Sequence, residues 1–309
     1  MSETRHWFVT TFYRFLALEN PDQVKTLWDQ KAAELGLYGL LILGKEGFNT
    51  TCAATSKENL ESFKTWVSQN FDCGDMLFKD SVSDTPPFQK FKSKVRTEIV
   101  TAGVPELVPD NTHHRHLSPD EWNKAMSEEG TVVVDTRNWY EYRIGTFKNA
   151  VNPNIEQFTE FPKFFEKQKY EKDQKILIFC TGGIRCEKGI LDLEKAGYEN
   201  VYQLEGGILN YLEQKPDDQF EGECFVFDSR IALDQKLQPT KVYRLCPHCG
   251  QPGEVPKTCV RCDSEFIVCV TCEPQDIVGQ VCSKNCAHHA KRHPGRKGTK
   301  QVKASSLRP

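Results

Sequence analysis

The 309-residue chain has no apolar run approaching the ~18 residues that cross a bilayer as a helix, so no membrane-spanning helix and no membrane partner are expected. Its first residues, MSETRHWFVT, lack the basic stretch, apolar block and small-residue cleavage site of a secretory leader, and a cytoplasmic location is expected. Disulfides are rare there, which leaves the thirteen cysteines as thiols. Acidic residues are absent after Asp276, while Lys284, Lys291, Arg292, Arg296, Lys297, Lys300, Lys303 and Arg308 follow it. The net charge of -3 therefore divides into -11 up to Asp276 and +8 beyond it, a basic end that suits either a polyanion or a solvated tail. With 38% hydrophobic and 27% charged residues the chain reads as globular, and its length suits two or three domains at roughly 100 to 200 residues each.

Along the chain, α/β alternation starts with FVTTFYRFLAL as a strand, then a helix capped by Asn20 with Pro21 at its first position, then GLLILG as a second strand. After a GKEGFNTT loop, TTCAAT reads as a strand, Thr55 and Glu58 as a capping box ahead of ENLESFKTWVSQN, and KFKSKVRTEIV as the last strand. That order gives a ferredoxin-like βαββαβ domain over residues 1–100. Residues 101–117 lack periodicity and read as a linker, whose His113, His114 and His116 suit solvated surface groups better than a metal site. Ser118-Pro119 with Glu121 opens a second module, residues 118–215, in which TVVVDT, KILIFC and NVYQLEGG alternate with helices as in a parallel sheet.

The chemistry concentrates in KILIFC-TGGIR-CEKGILDLEKAG, where Cys180 ends a strand and a glycine pair leads into a helix. Glycines let successive N–H groups turn inward and the helix N-terminus adds positive potential, so an anionic sulfur at Cys180 is stabilised and its pKa lowered. Arg185 supplies a fixed charge suited to an anionic substrate or intermediate. Cys186, read as the first helical residue, is either a packing residue or a thiol that resolves an oxidised Cys180. Lys90, Lys92, Lys94 and Arg96 alternate along a strand and share one face, either a phosphate-contacting stripe or an ordinary solvated surface.

The CTGGIRC loop, VVVDTRNWYEYRIGTFKNAVN and the LEGGI turn together resemble the rhodanese superfamily, in which Asp135, Arg137 and Glu141 take bracing roles. Adding GKEGFNTT, PPFQKFKSKVRTEIVT and GECFVFD, the chain over roughly residues 5 to 250 is similar to the rhodanese-containing tRNA uridine hydroxylases. That resemblance implies oxygen-dependent hydroxylation of carbon 5 of the wobble uridine at position 34, with Cys180 as the active-site cysteine, molecular oxygen as co-substrate, the tRNA anticodon loop as partner and no DNA. Uracil C5 is inert until a nucleophile adds at C6, a task for which a thiolate is suited. No flavin fingerprint, haem motif or two-His-one-carboxylate set is legible. The loop alone fits two other readings, a sulfurtransferase carrying a persulfide on Cys180 and a binding module without catalysis.

A connecting segment, residues 216–245, leads to Cys246-x2-Cys249, Cys259-x2-Cys262, Cys269-x2-Cys272 and Cys282-x3-Cys286. Four such pairs over residues 246–290 suit two structural zinc ions in tetrahedral thiolate sites, with an iron–sulfur cluster the lesser reading. Sequential and interleaved pairing are both open, and His288, His289 or His293 could replace a cysteine. The expected architecture is a multidomain α/β chain: ferredoxin-like domain, rhodanese-like domain, cysteine-rich zinc region and a basic tail over residues 291–309.

Overall fold

A computed structural model describes residues 6–110, 115–293 and 297; His113, His114, Arg296, Lys300, Lys303 and Arg308 lie outside them. The chain forms two compact units, residues 1–239 and 240–309.

The first unit opens with β1 (Trp7–Phe15), α1 (Pro21–Glu34), β2 (Tyr38–Gly44), β3 (Gly47–Ala54), α2 (Lys57–Asn70), β4 (Lys79–Ser83) and β5 (Phe91–Val95). Asn20 accepts the Gln23 N–H at the start of α1, as its spacing predicts. At α2 the cap is Ser56, accepting from Asn59, one residue later than the expected Thr55. The sheet order β4-β1-β3-β2-β5 corrects the expected strand set. The fourth strand of the split pattern is Lys79–Ser83, and the KFKSKV stretch is a short fifth strand running parallel to β2 at the opposite edge. GFNTT is strand rather than loop, because Gly44 pairs with Gly47 across a two-residue turn. Trp28 of α1 packs among Phe12, Phe48, Phe63 and Phe71, and burying each such ring contributes about 1.5–3 kcal/mol.

β6 (His116–Leu117), α3 (Pro119–Met126), β7 (Val132–Asp135), α4 (Trp139–Ile144), β8 (Gly145–Phe147), α5 (Phe161–Glu166), β9 (Ile176–Phe179), α6 (Ile184–Lys195), β10 (Val201–Leu204) and α7 (Gly207–Gln214) follow. Strands β6, β10, β9 and β7 form a parallel sheet in that order. β9 is buried throughout: Leu177 and Phe179 meet α3 and α7 on one face, while Ile176 and Ile178 meet α5 and α6 on the other. His116 thus belongs to a strand of this sheet rather than to a linker, and its side chain is exposed as expected. β11 (Phe220–Gly222), β12 (Cys224–Phe225) and β13 (Ala232–Leu233) complete the unit, and Phe220, Cys224 and Leu233 join the core over which α3 and α7 lie.

The second unit contains β14 (Arg244–Leu245), β15 (Pro252–Gly253), β16 (Val255–Thr258), β17 (Glu265–Val268) and α8 (Lys284–Arg292). Its two core clusters are mostly buried cysteines, accompanied by Val268, Val281 and Ala287. No helix among the described residues is long and apolar enough to cross a membrane.

Candidate active site

The central strand β9 delivers Cys180 to the carboxyl edge of the parallel sheet, where α/β folds leave room for ligands. The chain then turns at Gly183, whose φ of +97° suits glycine, and enters α6 at Ile184. Cys186 is therefore the third helical residue rather than the first. The Gly183 N–H donates to Cys180 Sγ at 3.1 Å. From behind, Ile208 and Leu209 of α7 donate N–H groups to the carbonyls of Cys180 (3.0 Å) and Thr181 (3.1 Å). A Cβ on Gly207 would stand 2.5 Å from the Cys180 carbonyl oxygen, which explains the glycine in LEGGI.

Burial alone pushes the Cys180 thiol up, but a hydrogen bond from Cys186, the Arg185 charge and loop N–H groups bring it down to about 6. Cys186 goes the opposite way, raised by its own burial and by the neighbouring Cys180 anion, and its sulfur lies 3.7 Å from Thr136 Oγ1. The pair thus holds one thiolate and one thiol near neutral pH. Arg185 is less free than its sequence position implies, since its Nη1 and Nη2 donate to Glu141 at 2.9 and 2.8 Å. It lends charge to the loop while remaining clamped. Asp135 and Arg137 form a separate buried bidentate pair that also ties Gly145 and Thr146 to the end of β7.

A cavity of about 530 Å³ opens over Cys180. Its wall combines Tyr13, Asn49 and Arg96 of the N-terminal domain with Arg185 and Phe227 from later in the chain. On the far side of the cysteine loop, Lys79 Nζ donates to the Gly182 carbonyl at 3.3 Å and lies 4.9 Å from the Tyr13 ring centre. Burial lowers Lys79 to about 8, against the opposing pull of Cys180 and Glu187. The Tyr13 hydroxyl donates to Glu187 Oε1 at 2.7 Å, and burial together with that carboxylate raises its pKa. Glu187 also meets His116 Nε2 at 3.0 Å.

Lys188, fully buried, places its ammonium 2.9 Å from Glu46 and 2.8 Å from Glu98. Glu46 lies in GKEGFNTT and Glu98 in KVRTEIVT, so three separated motifs close on one another beside the cavity. Tyr13 and Lys79 carried no signal in the sequence, and Glu187 and Phe227, although inside the quoted CEKGILDLEKAG and GECFVFD stretches, were not singled out there, because their place at the site depends on the N-terminal domain. Lys90, Lys92 and Lys94 are exposed along or beside β5, with Phe91 and Val95 turned toward the core. Arg96 alone of that stripe reaches the Cys180 cavity.

In the second unit the cysteines gather as Cys246, Cys249, Cys269 and Cys272, and as Cys259, Cys262, Cys282 and Cys286. Pairing is therefore interleaved, and none of the three candidate histidines enters either set. Four sulfurs around one zinc at about 2.3 Å stand about 3.8 Å apart. The separations match that tetrahedron: 3.5 Å for Cys249–Cys269 and Cys262–Cys282, 3.7 Å for Cys282–Cys286 and 3.9 Å for Cys262–Cys286.

Residues 7–99 match the family described as UPF0176 acylphosphatase like domain, residues 118–214 the rhodanese-like domain, and residues 221–287 the rhodanase C-terminal family. Over 303 residues, 98% of this chain and 87% of the relative, the chain is 55% identical to the tRNA uridine(34) hydroxylase of Bdellovibrio bacteriovorus. Proteins of the same name from Legionella pneumophila (42% identity, 77% of this chain, 94% of the relative) and Synechococcus elongatus (40%, 81% and 93%) are also similar.

Proposed function

The chain belongs to the tRNA uridine(34) hydroxylase family, and from that premise we propose that it hydroxylates carbon 5 of uridine 34 in tRNA, with Cys180 as the reacting residue. The observation that carries the assignment of Cys180 is a buried sulfur with a pKa of about 6 at the base of a cavity wide enough for a nucleobase. Cys180 adds as a thiolate to C6 of uracil, which places an electron pair on C5. Molecular oxygen as co-substrate, together with two electrons and two protons from an external reductant, supplies one oxygen atom to C5 as a hydroxyl and the other to water; loss of the C5 proton and departure of the thiolate from C6 then restore the ring. The Arg185–Glu141 pair fixes the loop charge, while Cys186 keeps a proton and directs it at the Cys180 sulfur.

Lys90, Lys92, Lys94 and Arg96 contact the phosphates of the anticodon arm, a role that their exposure on one edge supports. Each set of four cysteines would hold one structural zinc ion in the second unit, with four thiolates filling a tetrahedral site. A tRNA substrate supports a cytoplasmic location, and no DNA partner is expected.

The test is mass spectrometry of tRNA nucleosides from a strain lacking the protein, complemented with wild type or Cys180→Ala. We expect 5-hydroxyuridine and its derivatives to return only with wild type. Unchanged nucleosides in the deletion strain would instead assign the loop to sulfur transfer through a Cys180 persulfide.

A further inference from the structure

Phe227 is 61% exposed, the most exposed large hydrophobic side chain among the described residues, although its neighbours Phe225 and Val226 are buried. It is not a loose surface ring. Phe225 meets it edge-on at 5.0 Å and is itself backed by Tyr140 at 5.5 Å. The next residues are clamped to the N-terminal domain: Asp228 holds Arg230 at 2.9 and 2.7 Å, Arg230 Nη1 donates to Ser81 Oγ at 2.7 Å, and the Ser229 N–H donates to the Pro87 carbonyl at 2.9 Å. A rigid turn thus displays an aromatic face at the cavity that contains Cys180. The Arg185 guanidinium lies 5.7 Å from the ring centre.

An apolar face kept open in this way fits a flat, apolar-faced ligand, and the surrounding charge says what that ligand is attached to. Arg96 shares the cavity wall and continues the exposed line of Lys90, Lys92 and Lys94, so the entrant is a base on a polyanionic strand. Single-stranded RNA is read by stacking splayed bases on aromatic rings while cations follow the backbone. We propose that Phe227 is the stacking platform that receives the unstacked base of nucleotide 34 and orients it toward Cys180. This deepens the hydroxylase reading and rests on it. Phe227 acts as a positioning residue; it supplies no reacting atom.

The full-length chain with Phe227→Leu or Phe227→Trp is titrated against two anticodon stem-loops, one with uridine at position 34 and one abasic there. Leucine keeps apolar bulk but has no π-face, and so exposed a side chain leaves folding intact, which thermal unfolding checks. On the uridine stem-loop we expect Phe227→Leu to weaken binding roughly 5- to 100-fold, and Phe227→Trp to bind like wild type. On the abasic stem-loop wild type and Phe227→Leu should bind alike, with the salt slope unchanged because no phosphate contact is lost. Wild-type affinity for uridine in the leucine variant, or a loss that persists on the abasic stem-loop, overturns the stacking role. Failure of wild type to restore 5-hydroxyuridine overturns the hydroxylase reading instead, so the two failures are told apart.

Discussion

At Cys180, desolvation opposes ionisation while a thiol, a guanidinium and inward N–H groups favour it, and the second set prevails. A thiol with a folded-state pKa of about 6 against an ordinary value of 9.0 is largely thiolate at pH 7. The sign of the linkage follows: its stabilising contribution is complete above the unfolded thiol's pKa and is lost as pH falls through about 6. Alkylation of the Cys180 peptide by iodoacetamide, read by mass spectrometry, should rise with pH around a midpoint near 6, and Arg185→Met should move that midpoint upward. A midpoint near 9 would mean that the loop does not stabilise the anion. The glycines, Cys180 and Arg185 are legible in the sequence because one continuous stretch encodes the anion loop. Tyr13, Lys79 and Glu187 are not, since their approach depends on two domains packing face to face.

Among the elements, β5 shows how alternation can be read correctly and assigned to the wrong place. Its Lys-x-Lys pattern does put the cations on one face, with Phe91 and Val95 facing the core. The sequence nevertheless led to β5 as the fourth strand of the split motif, because KDSVS, rich in serine and aspartate, hides the true one at Lys79–Ser83. Placed at the free edge beside β2, β5 can lay its cations along a phosphate backbone. Lys92→Glu together with Lys94→Glu should weaken tRNA binding and flatten the slope of log affinity against log salt by roughly 2, about one per lost phosphate contact. An unchanged slope in a filter-binding titration would return these residues to ordinary solvated surface. Helix starts were more legible: Asn20-Pro21 and Ser118-Pro119-Glu121 cap where their spacing says, because capping is local.

On the scale of the whole chain, the two units depend on different sources of stability. Residues 1–239 contain three large apolar cores, whereas the core clusters of described residues 240–293 are mostly cysteine and cannot hold a fold by apolar area alone. Elemental analysis should find two zinc ions per chain, one for each set of four cysteines. A strong chelator should abolish hydrogen-exchange protection in residues 240–293 while leaving the rhodanese-like core protected. Protection that survives complete metal removal would contradict a structural role for zinc. The cysteine spacing announced the two sites, but interleaving depends on how the hairpins cross and is not encoded in spacing. Within the first unit, Lys188 draws one carboxylate from the β2–β3 turn and another from beyond β5. Removing Lys188 leaves two buried carboxylates without their counter-charge, at a cost of about 3–5 kcal/mol. Descendants of this chain can therefore change the lysine only in step with its glutamates, and a rhodanese-like domain borrowed from a relative without a lysine at this position would bring its thiolate loop but leave Glu46 and Glu98 buried without a counter-charge.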